Sequence, residues 1–283
     1  MAEQRQDLFT LFKNAAKLAP AEAYSFVGRQ LAAALSPAGG GGPDAGGGAA
    51  WQDVEIALSL LYQLGEGAPE EALRPGSGML AQLAGGLFGA DVPAASHRLV
   101  ALALLECYVR YAKVAAQQAQ HVAKVVGAFL GERGMGHPSE AVARRAAYLL
   151  CRLVKPLRGS LRPLTREILG QLQPHLAAIA ATPAPEAPAV KSSGAAGGRP
   201  TAGALLGTVD DRLYAFEAAG LLLGQEELPA AEQAAWLAAL LCPLVAAVES
   251  NLDAAAAQQR QGLGPQQGLG LGSQQQQQGQ QQQ

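Results

Sequence analysis

Blocks of helical periodicity recur along this chain in pairs, and the pairs return at a nearly constant interval. Apolar residues at i, i+3, i+4 spacing predict helices over Glu3–Leu18 and Ala21–Leu35, Trp51–Leu64 and Ser77–Phe88, and His97–Lys113 and Ala119–Leu130. Two further pairs follow, Pro138–Leu157 with Leu161–Ala180 and Thr208–Leu223 with Pro229–Ala257. The pairs open near residues 3, 51, 95, 138 and 208, at intervals of 48, 44, 43 and 70. Setting aside an insertion of about 26 residues brings the last interval to about 44, within the 40 to 47 expected of HEAT and armadillo units. One helix pair cannot bury its own apolar face, so pairs of this kind stack. The expected fold is all-α: an α-solenoid of about five HEAT-like antiparallel helix pairs, with the second helix of every pair on the concave wall.

Composition fits that expectation and sets the boundaries. Hydrophobic residues make up 49% of the 283 but aromatics only 5%, and much of the apolar count is alanine, which suits close helix packing rather than sheets. The 34 glycines and 17 prolines concentrate in runs that cannot build a core. Residues 1–180 thus hold HEAT-like repeats 1 to 4 with a Gly-rich loop at 38–50. Residues 181–206 read as a disordered insertion, 207–257 as repeat 5, and 258–283 as a disordered Gln/Gly-rich tail.

Several function classes drop out. Cys107, Cys151 and Cys242 lie far apart, without the spacing of a zinc knuckle or a disulfide framework, and imply a reducing compartment. Residues Met1 to Lys17 hold no uninterrupted apolar segment of the secretory kind. The longest apolar run, Ala234 to Val248, contains Pro243 and is shorter than the roughly 18 residues of a spanning helix, so no membrane partner is expected. Gly39 to Gly48 fails the dinucleotide-binding register, and no phosphate loop, zinc-protease or nucleophile-elbow motif is present. His97, His121, His137 and His175 fall singly, and His121 and His137 read as turn or groove residues rather than metal ligands. No enzyme, no cofactor and no metal site is expected.

Charge supplies the positive signal. Residues 98 to 166 hold twelve Lys or Arg against Glu106, Glu132 and Glu140, a net +9, while the remainder of the chain carries −11. Such a basic middle suits a surface that meets phosphate, although a solvated face gives the same count. On the helix from Pro138, at 100° per residue, Val142, Ala146, Leu149, Leu150, Leu153 and Leu157 form an apolar stripe. Arg144, Arg145, Tyr148, Arg152, Lys155 and Arg158 occupy the other half. Tyr148 there either stacks on a base or closes the groove to a neighbouring helix. The candidate RNA contacts are Arg133, Arg144, Arg145, Arg152, Lys155, Arg158, Arg162 and Arg166.

The segment Phe129-Leu-Gly-Glu-Arg-Gly-Met-Gly-His-Pro-Ser139, followed by Val142, Arg145, Ala147-Tyr-Leu149, Arg152 and Val154-Lys155, resembles the middle of the exportin-T family of the importin-β (karyopherin) superfamily. In the same order, Val54-Glu-Ile-Ala57 with Leu60-Leu-Tyr62, Val109-Arg-Tyr111 with Lys113, Gln120-His-Val122, and Asp210-Asp211 with Glu217 and Ala219-Gly220 are also similar to that family. The resemblance implies a non-enzymatic carrier that binds tRNA together with Ran-GTP, meets nuclear pore proteins and shuttles between nucleus and cytoplasm. It covers only a central portion of a longer arch, so the chain reads as a fragment. The alternative from the residues alone is a helical-repeat protein-binding scaffold without RNA affinity.

Overall fold

The computed structural model describes residues 2–36, 50–66, 68–74, 76–182, 211–225 and 228–262. Every regular element among them is helical. The first two pairs are α1 (Ala2–Leu18) with α2 (Pro20–Leu35) and α3 (Trp51–Leu64) with α4 (Met79–Gly89). Next come α5 (Arg98–Arg110), continued by the single turn Ala112–Ala115, with α6 (Ala119–Leu130), and then α7 (Glu140–Leu161) with α8 (Thr165–Ala180). The last pair is α9 (Tyr214–Leu223) with α10 (Ala230–Gly262). Short 3₁₀ turns at Glu70–Leu73, Arg162–Leu164 and Asp211–Leu213 lie between them.

The helices form two rows. In one, α1, α3, α5, α7 and α9 each pack on the next; in the other, α2, α4, α6, α8 and α10 do the same. The second helix of a pair also packs on the first helix of the following pair, as α2 does on α3, α6 on α7 and α8 on α9. The consequence is a single continuous core from Val27 to Leu240. Its largest fully buried members are Tyr108, Tyr111, Phe88 and Phe129. Alanines at Ala57, Ala84, Ala101, Ala146 and Ala218 bring the helices close together.

Some boundaries differ from the sequence expectation, each for a visible reason. The fifth helix ends at Arg110 rather than Lys113, where Tyr111 leaves helical geometry and its hydroxyl donates to Leu61 O at 2.6 Å, tying α5 to α3. Residue Pro138 lies outside α7, whose first residue is Glu140, and α7 runs through Pro156 to Leu161. Proline at 156 lies on the exposed side of the helix, where the carbonyl of Arg152 that it leaves without a donor can turn to water. Helix α10 continues past Ala257 to Gly262. The expected Gly-rich loop, the insertion from residue 183, the start of repeat 5 at Thr208 and the tail beyond 262 lie outside the described residues.

A further correction concerns apolar length. The run Ala234–Val248 is short, but the helix that contains it is, over Ala230–Arg260, long and apolar enough to cross a membrane by length and composition, and is 6% buried in its most apolar window.

The turn from Gly131 to Ser139 folds back on the end of α6. Met135 N–H donates to Phe129 O at 2.7 Å, and Gly134 leaves no room for a side chain, since a Cβ there would lie 2.1 Å from Phe129 O. Residue His137 pins this turn to the preceding repeat. Its Nδ1 accepts from Ser139 N–H at 2.9 Å, so Nε2 carries the proton and donates to Ser96 O at 2.9 Å. Of the two histidines expected in a turn or groove, His137 lies in a turn, whereas His121 lies within α6. His121 lies buried against Phe88, with ring centroids 5.5 Å apart.

Two outcomes test this packing. Leu149 is fully buried, so Leu149→Ala lowers unfolding free energy by about 2 to 4 kcal/mol, whereas Arg152→Ala on the exposed side changes it far less. Chemical denaturation of the two variants reads the difference. Burial, and then the nearby Lys124 charge, hold His121 below its ordinary pKa. The unfolded chain therefore takes up this proton first, and the contribution of neutral His121 is complete above about pH 6.5 and is lost as pH falls through the folded value. Melting temperature measured from pH 7.5 to 5.5 falls less steeply in His121→Gln than in wild type.

Candidate nucleic-acid interface

Helix α7 is amphipathic in a way that sets the site. Val142, Ala146, Ala147, Leu149, Leu150, Cys151, Leu153, Val154 and Leu157 are all buried, a wider arc than the six residues of the expected stripe. The extra width arises because α7 touches α5, α6 and α9 at once. What remains outward is a band of Arg144, Arg145, Tyr148, Arg152, Lys155 and Arg158. The band lies on the row of first helices. It is therefore not on the row of second helices, where the concave wall is expected.

Most of these cations meet an acid or a carbonyl. Arg145 donates from Nε at 2.9 Å and Nη2 at 2.5 Å to Glu106 on α5. Lys155 Nζ stands 3.0 Å from Glu217 on α9, and this hydrogen bond is the main cause holding Glu217 below, and Lys155 above, its ordinary pKa. Burial, with Glu217 adding to it, pushes the neighbouring Cys151 thiol up to about 11. Arg144 pairs with Glu140 of its own helix at 2.6 Å, and Arg158 donates to Gly224 O just after α9. Arg166 on α8 grips both oxygens of Glu232 on α10, at 2.6 and 2.8 Å. Arg133, in the turn after α6, pairs with Asp91 at 3.2 Å, and Arg162 lies in the 3₁₀ turn before α8.

Tyr148 sits at the centre of the band. Its ring meets Tyr214 edge-on at 5.0 Å, so of the two roles left open for it the packing one is realised. The guanidinium of Arg145 lies over that ring at 4.8 Å and that of Arg152 at 5.9 Å. Arg152 is exposed and has no carboxylate partner among the described residues. The structure thus gathers Arg144, Arg145, Arg152, Lys155 and Arg158 on one face of one helix. It places Arg133, Arg162 and Arg166 on the turn after α6, on the turn before α8 and on α8 itself.

Reasoning from sequence missed the acidic partners Glu106, Glu217 and Glu232. A signal was present: Glu106 with Arg145 and Asp91 with Arg133 stand 39 and 42 positions apart, close to one repeat. Opposite charges one repeat apart fall side by side, on adjacent helices of one row or on the turns that follow them. Arg5 with Glu55 and Lys13 with Glu66, both linking α1 to the α3 region, follow the same rule at separations of 50 and 53. No group of three or more potential metal ligands exists among the described residues.

Two rows of helices, packed repeat on repeat and stitched by charge, define a helical-repeat protein of the karyopherin type. The Exportin-T family model matches residues 42–264, and the chain belongs to that family. Exportin-T of Arabidopsis thaliana is 36% identical over 252 residues, covering 89% of this chain and 23% of that protein. The Oryza sativa (subsp. japonica) protein of the same name is 36% identical over 258 residues, covering 91% and 24%, and the Homo sapiens one 32% identical over 201 residues, covering 69% and 19%. The chain spans about a quarter, or less, of the length of these curated relatives.

The ion pair between α5 and α7 is partly exposed, so its contribution is modest. A double-mutant cycle of Glu106→Gln and Arg145→Gln by chemical denaturation gives a coupling of about 0.5 to 1 kcal/mol at low salt, smaller at 1 M salt.

Proposed function

We propose that this chain supplies a tRNA-contacting segment of an exportin-T-type nuclear export receptor and meets RNA phosphates along the exposed face of α7. The observation that carries this reading is the band of Arg144, Arg145, Arg152, Lys155 and Arg158 on one side of one helix, in a chain of the Exportin-T family. Charges already paired in a repeat protein still add to the field around the band, and exposed Arg152 is open to a phosphate oxygen. Recognition of this kind works through shape and backbone charge rather than base sequence. The partners in this reading are tRNA, Ran-GTP and nuclear pore proteins, and the receptor shuttles between nucleus and cytoplasm. Its units are repeats 1 to 4 over residues 1–180, an insertion at 181–206, a fifth repeat at 207–257 and a tail at 258–283. The contact set extends from the α7 band to Arg133, Arg162 and Arg166 at its two ends.

A protein-binding scaffold is the second reading. It is favoured by the number of band cations engaged with Glu106, Glu140 and Glu217, and by a groove of about 300 Å³ lined by Met135, Ala143, Ala147 and Ile179 together with Glu140 and Arg212.

Titration of labelled folded tRNA at two salt concentrations separates the readings. The triple variant Arg145→Gln, Arg152→Gln, Lys155→Gln removes charge without setting new carboxylates against Glu106 and Glu217. It weakens binding about tenfold or more and lowers the slope of log affinity against log salt by up to about 3, with helicity unchanged. Equal affinities without a salt slope in either protein leave the scaffold reading standing.

A further inference from the structure

Two cations of the basic band take their carboxylates from outside α7. Glu106 reaches Arg145 from α5 and Glu217 reaches Lys155 from α9, so each acid belongs to a neighbouring repeat. Both acids keep contact with solvent, the side chain of Glu106 being 24% exposed and that of Glu217 46%. Between the two pairs lies Arg152, about 10.5 Å along the axis from Arg145 and about 4.5 Å from Lys155. It is exposed and has the Tyr148 ring, but no carboxylate among the described residues, as its partner.

Pairs of this exposure are weak enough to be exchanged. A carboxylate open to water holds its cation by a factor of roughly 2 to 5. Phosphate oxygens offer Arg and Lys charge-assisted contacts of the same kind, backed by the field of a whole strand. The carboxylates are also not needed to keep the cations at the band. The guanidinium of Arg145 lies over the Tyr148 ring at 4.8 Å and that of Arg152 at 5.9 Å, so the ring retains Arg145 when Glu106 lets go. A carboxylate left beside a docked phosphate repels it, so each acid opposes RNA binding twice, once by occupying a cation and once by its own charge.

We infer that Glu106 and Glu217 form a latch on the α7 band, an inference that rests on the RNA reading above. RNA docks first on Arg152, and Arg145 and Lys155 join it as phosphate oxygens replace the two carboxylates. The acids thus set affinity from outside the contact set, and they hold it down. They also favour a strand of many phosphates, which can exchange both pairs together, over a single anion, which can exchange only one.

The test titrates the whole chain with labelled folded tRNA at two salt concentrations. The double variant Glu106→Gln, Glu217→Gln keeps side-chain shape and a hydrogen-bonding oxygen at both positions. It binds about 5- to 20-fold tighter than wild type at the lower salt, and its slope of log affinity against log salt steepens by up to about 2. Glu55→Gln takes the same charge from the Arg5 pair between α1 and α3, and shifts affinity by less than about twofold. The effect is also local to each pair: Arg145→Gln weakens binding by about 2- to 5-fold more in the Glu106→Gln background than in wild type. Equal or weaker binding by the double variant overturns the latch, because acids that only position the cations or join the helices give that result. So does an equal gain from Glu55→Gln, which marks net charge alone. In both of those outcomes salt-dependent binding by wild type leaves the RNA reading standing. Binding without a salt slope, or none, in wild type and double variant alike overturns the two together.

Discussion

Burial between successive repeats is the constraint on which everything else depends. No helix pair in this chain covers its own apolar face, and the heaviest packing joins one pair to the next: α3 with α5, α2 with α3, α7 with α9 and α5 with α7. Stability in such an array is a sum over neighbours. A defect at one interface is therefore felt by two repeats. The side chains that cross those interfaces, among them Tyr111 reaching Leu61 O, His137 reaching Ser96 O and His175 reaching Leu130 O, set the registration of adjacent pairs while the apolar core supplies the energy.

This division explains what the sequence disclosed. The ten long helices among the described residues were legible because each carries a 3.6-residue apolar period, most of them bounded by Pro or Gly, and the repeat interval named the architecture. The buried face of α7 was legible too, from Val142 through Leu157. Less visible were features that depend on where two rows meet. The end of α5 at Arg110 follows from Tyr111 seeking a carbonyl on another helix, and nothing local to Val109-Arg-Tyr111 announces it. The passage of α7 through Pro156 depends on which side of the helix the ring lands.

The basic band shows the same limit more sharply. A net +9 over residues 98 to 166 is a correct count, but the acids that answer it are Glu106 and Glu140 within that window and Asp91, Glu217 and Glu232 outside it. Linear charge statistics treat Glu217 as part of the acidic remainder. In three dimensions it stands 3.0 Å from Lys155. Knowing the repeat length and the row to which each helix belongs converts the same residues into pairs, which is why fold and site have to be read together here. The face of α7 is a mosaic of paired cations around Tyr148, with exposed Arg152 as its least encumbered member.

The ladder of charges along the first-helix row also bears on how α7 meets a charged partner. Arg5 to Glu55 joins α1 to α3, Glu106 to Arg145 joins α5 to α7, and Lys155 to Glu217 joins α7 to α9. All three rungs join helices of the same row and are at least partly open to solvent ions. Salt or a competing polyanion weakens these ion pairs while leaving the apolar contacts in place. A polyanion drawn to α7 thus competes with Glu106 and Glu217, the carboxylates that join this helix to its two neighbours in the row.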